Sequence, residues 1–147
     1  MEIQSTRFGR QEIDPARVLT MHNGLLGYPE HHCFVLLPGG DDIRWLQSSE
    51  DPNLAFAVID PQRYFADYDV PVREELRDAL RIDGMPRLQV WAICNLVGEW
   101  LTANLLGPIV VNTANGLAEQ VIQTEKKWTI RQPLRRLDQS VPLARSA

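Results

Sequence analysis

The feature that most constrains this chain is its punctuation. Ten prolines and nine glycines are spread almost evenly through 147 residues. Proline removes a backbone donor and glycine weakens helix interiors, so short strands joined by turns are favoured over long helices. Turn signals recur at Asn23-Gly24, Gly39-Gly40-Asp41-Asp42, Asp51-Pro52, Asp60-Pro61 and Asn115-Gly116. At these places an Asx side chain can bond its own backbone ahead, proline presets φ, or glycine accepts positive φ. Between the turns, runs rich in β-branched and aromatic residues predict strands over 7–13, 18–21, 33–37, 43–47, 55–59, 88–94, 100–105, 109–112, 119–124 and 128–131.

One segment has another period. Over 71–82, Val72, Leu76, Ala79 and Leu80 recur at helical spacing. Asp69 and Pro71 suit a helix start, and Gly84 with Pro86 suits its stop, so a three-turn amphipathic helix is expected. A further turn of helix is expected over 113–118. Ten short strands and one or two short helices predict a mainly β chain. The expected architecture is a single small antiparallel β-barrel-like domain over 1–136, with 137–147 a flexible tail.

The formal charge of -4 hides an imbalance. Residues 1–125 carry nine basic and eighteen acidic side chains, whereas residues 126–147 carry six basic and one acidic. An acidic body argues against direct nucleic-acid binding. Lys126, Lys127, Arg131, Arg135 and Arg136 could touch phosphates, but only Trp128 is interleaved as a stacking platform. The longest apolar runs, such as 54–59, fall far below the ~20 residues of a membrane helix. The N-terminus lacks the basic-then-apolar signal pattern, so a cytoplasmic address and no membrane contact are expected.

Strings that carry catalytic chemistry are missing: there is no G-x-S-x-G, no H-E-x-x-H and no G-x-x-x-x-G-K. His22, His31, His32 and Cys33 are the best metal-ligand candidates. In a strand, His31 and His32 point to opposite faces, so no metal is expected. Cys33 and Cys94 lack C-x-x-C spacing and read as small buried hydrophobes. No cofactor and no enzymatic activity are expected.

Read in order, the residue strings carry a resemblance. Thr6-Arg7-Phe8-Gly9 is followed by Gly24-Leu25-Leu26-Gly27-Tyr28, Phe34-Val35-Leu36-Leu37, Trp45-Leu46-Gln47-Ser48, Asp51-Pro52, Leu54-Ala55-Phe56 and Asp60-Pro61. Thr102, Asn104-Leu105, Pro108-Ile109-Val110-Val111-Asn112, Gln120-Val121-Ile122 and Pro133-Leu134 complete the set. The set resembles the FliW family of flagellar assembly factors, from about residue 3 to residue 134. The resemblance implies a small, non-enzymatic, β-barrel-like protein of the cytoplasm. It implies binding to CsrA, the carbon storage regulator that represses translation of flagellin mRNA, and relief of that repression. It also implies binding to flagellin, which makes the family a partner switch. A dedicated flagellin chaperone is the alternative, and a small-ligand or metal-binding barrel a more distant one.

Several residues are candidates for partner contact. Gln47, Ser48, Asn104 and Asn112 place an amide or hydroxyl at strand ends, where it either satisfies buried backbone or presents a hydrogen-bonding surface. Asp60 sits in a turn. Tyr64, Phe65 and Tyr68, with Asp67 and Asp69 beside them, suggest aromatic and charged anchors on a loop. From residue 41 to residue 83, eleven acidic side chains face five basic ones. Such a surface would draw in a basic RNA-binding protein, less strongly at high salt.

Overall fold

The computed structural model describes residues 1–138. The chain opens with a hairpin of β1 (Glu2–Ser5) and β2 (Gly9–Glu12), followed by the short β3 (Leu19–Thr20). An antiparallel run of β4 (Cys33–Pro38), β5 (Arg44–Ser48), β6 (Ala55–Ile59) and β7 (Leu88–Val97) comes next, with α1 (Glu74–Ala79) between the last two. The ten-residue β7 takes two partners on one side. Its first half pairs with β9 (Ile109–Asn112) and its second half with β8 (Trp100–Ala103). Outside these, β10 (Ala118–Gln120) lies on β9 and β11 (Gln132–Arg136) on β8. The sheet curls until Thr20 bridges Leu117, with the Thr20 N–H donating to the Gly116 carbonyl at 2.9 Å. This mainly β half-barrel is the fold class expected from the sequence.

Both faces of the curled sheet are covered, which is why its central strands read as apolar runs rather than strict alternations. One face packs Leu19, Met21, Phe34, Leu46, Val58 and Ile109 together. The other carries Ile59, Ala92 and Val110 against Tyr64, Tyr68, Leu76, Leu80 and Trp128 from the connecting segments. The first hairpin lays Ile3 and Ile13 on Val35 and Leu37 of β4. Each such side chain, fully buried, stabilises the fold by about 1.5–3 kcal/mol.

Several elements depart from expectation. The expected helix over 71–82 is only six residues long. Arg73 at its N-cap has no capping side-chain bond. At its end Arg81 takes φ 49°, and the Ile82 and Arg81 N–H groups bond back to the carbonyls of Arg77 and Asp78 at 2.9 and 3.2 Å. This is a Schellman stop with arginine where glycine is usual. The expected helical turn over 113–118 is a non-helical turn. Asn112 Oδ1 accepts the Ala114 N–H, Asn115 Oδ1 accepts the Leu117 N–H, and Gly116 has φ 77°. The expected strand over 128–131 lies four residues later, as β11, because Trp128 turns into the core against Phe65 and Tyr68, both ring pairs at 5.2 Å. The strand expected over 7–13 is the shorter β2, which pairs as the second arm of a hairpin with β1, a strand outside the expected set. The expected tail lies outside the described residues from 139 onward, and Leu137 and Asp138 form a turn.

Candidate interaction surface

The Leu-Gln-Ser motif ends β5 inside the protein. Gln47 and Ser48 are fully buried. Gln47 Nε2 lies 3.0–3.4 Å from the carbonyls of Ser48, Asp51, Pro52 and Leu54, and its Oε1 accepts the Ser5 hydroxyl at 2.8 Å. Ser48 Oγ accepts the N–H groups of Glu50 and Asp51, both at 3.0 Å. Together they shape the loop between β5 and β6 and tie it to β1. Asn112 is also buried, donating to the Leu80 carbonyl at 2.9 Å and so holding the end of α1.

The tyrosines are equally inward. Tyr68 donates its hydroxyl to the Leu105 carbonyl at 2.7 Å, and burial pushes its pKa up to about 12. Tyr64 donates to Asp42 Oδ2 at 2.5 Å and accepts from Arg135 Nε at 3.0 Å. Arg135 Nη2 lies 3.4 Å from Asp42 Oδ1, and both side chains are buried. Burial, followed by the Asp42 hydrogen bond, raises the Tyr64 pKa to about 12. This network pins β11 to the turn before β5.

Of the contact candidates, Gln47, Ser48, Tyr64, Tyr68 and Asn112 are buried, and in this conformation their side chains face protein. Asp60 is half-buried and accepts the Gln62 N–H at 2.9 Å, capping the 3₁₀ turn Pro61–Arg63. Asn104, also half-buried, accepts the Leu106 N–H at 3.1 Å. Phe65 is half-buried against Trp128, and Asp67 and Asp69 are exposed. The structure thus leaves Phe65, Asp67 and Asp69 together at the surface. Asp67 pairs with Lys127, whose hydrogen bond holds the carboxyl below the usual aspartate range.

Lys127 is part of a wider pattern that the sequence did not show. The basic segment folds back on the acidic body: Lys127 meets Asp67, Arg135 meets Asp42 and Arg136 meets Glu99. The acidic stretch is thereby partly neutralised from within. No local signal in the sequence pairs residues 42 and 135.

The adjacent histidines His31 and His32 have different surroundings. Glu50 accepts the N–H groups of His32 and Cys33 at 2.7 and 2.8 Å, which lowers its pKa. His32 Nδ1 lies 3.0 Å from the Met21 carbonyl, and His31 packs edge-on to Tyr28. Among the described residues, no three His, Cys, Asp or Glu groups gather as metal ligands. Both cysteines are free and burial raises their pKa values, that of Cys94 to about 12. No helix among the described residues is long and apolar enough to cross a membrane.

The exposed surface also carries large apolar groups near the β7–β8 hairpin: Leu96, Val97, Trp100 and Leu137 are 41–62 % exposed. Beside them lies a cleft of about 490 Å³ whose walls include Ile43, Trp45, Ala57, Leu96 and Leu101.

A curled, mainly β half-barrel whose polar motif residues brace its turns, with apolar and charged groups left outside, is the class of scaffold that the geometry defines. Comparison with known proteins fixes the family. The family model described as FliW protein matches residues 2–134, and the chain belongs to the FliW family of flagellar assembly factors. It is 36 % identical over 139 residues to the flagellar assembly factor FliW of Magnetococcus marinus, covering 91 % of this chain and 85 % of that one. The Treponema denticola flagellar assembly factor FliW is 34 % identical over 131 residues, covering 87 % and 89 %. A crystal structure of the flagellar assembly factor FliW superimposes with TM-score 0.84 at 29 % identity, over 94 % of this chain and 99 % of that one.

Proposed function

We propose that this flagellar assembly factor works as a non-enzymatic partner switch in the cytoplasm. It binds CsrA, relieves repression of flagellin mRNA translation, and releases CsrA when it binds flagellin. Family membership over residues 2–134 is the observation that carries this reading. The surface supports it with a physical reason. Phe65, Asp67 and Asp69 offer an apolar and acidic patch to a protein whose RNA-binding surface must be basic. Calorimetry with purified CsrA at two salt concentrations tests it: micromolar or tighter binding that weakens with salt is expected, and absence of heat at micromolar concentrations overturns it. The second reading, a flagellin chaperone without regulator binding, is favoured by the apolar cleft near β7 and β8. It predicts co-elution with monomeric flagellin and no CsrA heat.

A further inference from the structure

The cleft has an origin in strand pairing. β6 and β7 pair only at Val58↔Ile93 and Ile59↔Ala92. Yet β6 begins three residues before Val58 and β7 continues four residues past Ile93. Over that length the two strands diverge, and the cleft lies between them.

Hydrogen bonds on the far sides show which backbone groups face the gap. The Ser48 N–H donates to the Leu54 carbonyl at 2.9 Å, so residue 54 and alternate residues after it face β5. By alternation, Ala55 faces away from β5, toward β7. The Asn104 N–H donates to the Ile93 carbonyl at 2.9 Å, so residues 93 and 95 face β8 and Leu96 faces β6. Ala55 and Leu96 thus turn their N–H and C=O groups into the cleft with no strand opposite. Such rows of free groups are templates for an added strand. The small side chains of Ala55 and Ala57 leave space, while Ile43, Trp45 and Leu101 give apolar walls. Arg7 lies at the Trp45 side, its guanidinium 3.7 Å from the ring centroid. Among the described residues it has no carboxylate within salt-bridge distance.

We propose that the gap between β6 and β7 is a strand-addition site for an extended, apolar segment of a partner protein that carries one acidic residue. Backbone groups of Ala55 and Leu96 bind the segment's main chain. Alternate apolar side chains fill the cleft, and the acid meets Arg7. A helix would leave those backbone groups without partners, so an extended occupant is the better match. The proposal rests on the reading of this chain as a protein-binding factor, and on neither partner's identity.

The test uses the full chain and blocked octapeptides of alternating valine and threonine with one aspartate placed at different positions. Amide chemical shifts and tryptophan fluorescence report binding. At least one peptide is expected to saturate at about 1 mM or below, shifting the amides of Ala55 and Leu96. Methylating alternate backbone nitrogens of that peptide should weaken it at least about tenfold, since it blocks the ladder and keeps the side chains. Leu96→Asp should weaken it similarly with an unchanged unfolding midpoint. Failure of every peptide to saturate, equal binding of the methylated peptide, or shifts confined to another face would overturn the proposal. Two further outcomes also overturn it by naming another occupant. One is concentration-dependent self-association that Leu96→Asp abolishes. The other is much tighter peptide binding by the Val141→Asp, Leu143→Asp double variant. CsrA titration of the same preparations reads the regulator hypothesis separately, so failure of one does not imitate failure of the other.

Discussion

Replacing Gln47 with leucine probes whether the most specific motif in this chain works as a brace. The substitution keeps side-chain size and removes both amide functions. The Nε2 group has two hydrogens shared among four carbonyls, and Oε1 accepts one more bond from Ser5. That makes three full hydrogen bonds, at about 1 kcal/mol net each. At least one buried acceptor is then left unsatisfied, which costs about 1 kcal/mol more. The expected loss is about 4 kcal/mol, a large part of the 5–15 kcal/mol typical of a domain. With a urea slope of about 2 kcal/mol/M, the unfolding midpoint should fall by about 2 M. Ser5→Ala, which removes the bond to Gln47 and the one that Ser5 Oγ accepts from the Phe8 N–H, should lower the midpoint by about half of that. Equilibrium urea unfolding followed by tryptophan fluorescence measures both. A drop below about 0.5 M for Gln47→Leu would refute the brace. So would an unchanged midpoint with lost partner binding, which would make Gln47 a contact residue after all.

Other consequences are open to measurement. Arg81→Gly should raise stability by about 0.5–1 kcal/mol, read as a higher thermal midpoint, because the φ of 49° there suits glycine better than arginine. The pKa values of Tyr64 and Tyr68 are raised to about 12 from 10, so the fold favours their neutral forms. That stability is present in full below pH 10 and is lost as pH rises from 10 through 12. Urea midpoints should therefore hold from neutral pH toward 10 and fall above it, and Tyr64→Phe with Tyr68→Phe should flatten the fall. Asp42→Asn should cost about 3 kcal/mol in denaturant unfolding, since it removes the buried carboxylate facing Arg135. Asp69→Asn should slow association with CsrA and reduce its salt dependence in stopped-flow kinetics.

Much of the scaffold was legible in the sequence, for a local reason. Runs such as Ala55–Ile59 and Ile109–Asn112 are apolar on both faces and bounded by turn residues, so their limits came out as drawn. β1 was hidden because Glu2 and Gln4 face solvent and only Ile3 marks the buried side. The helix was overdrawn because its apolar spacing continues to Leu80 and Ile82, whereas the left-handed Arg81 stops it. The surroundings of the contact candidates were less legible. A glutamine at a strand end satisfies buried carbonyls or faces a partner, and only the position of the loop over 48–54 decides between them. The Asp42–Arg135 pair spans 93 positions, and the opening between β6 and β7 depends on where a ladder ends. Neither property is local in the chain.

A partner switch requires that CsrA and flagellin bind this protein exclusively. Its most direct measurement is calorimetric titration of CsrA into this protein, first alone and then saturated with monomeric flagellin. The switch predicts micromolar or tighter CsrA binding to the free protein and at least a tenfold loss, on the order of 1.4 kcal/mol, once flagellin is bound. Equal CsrA affinity in both titrations would contradict the switch, and no CsrA heat in either would contradict regulator binding itself.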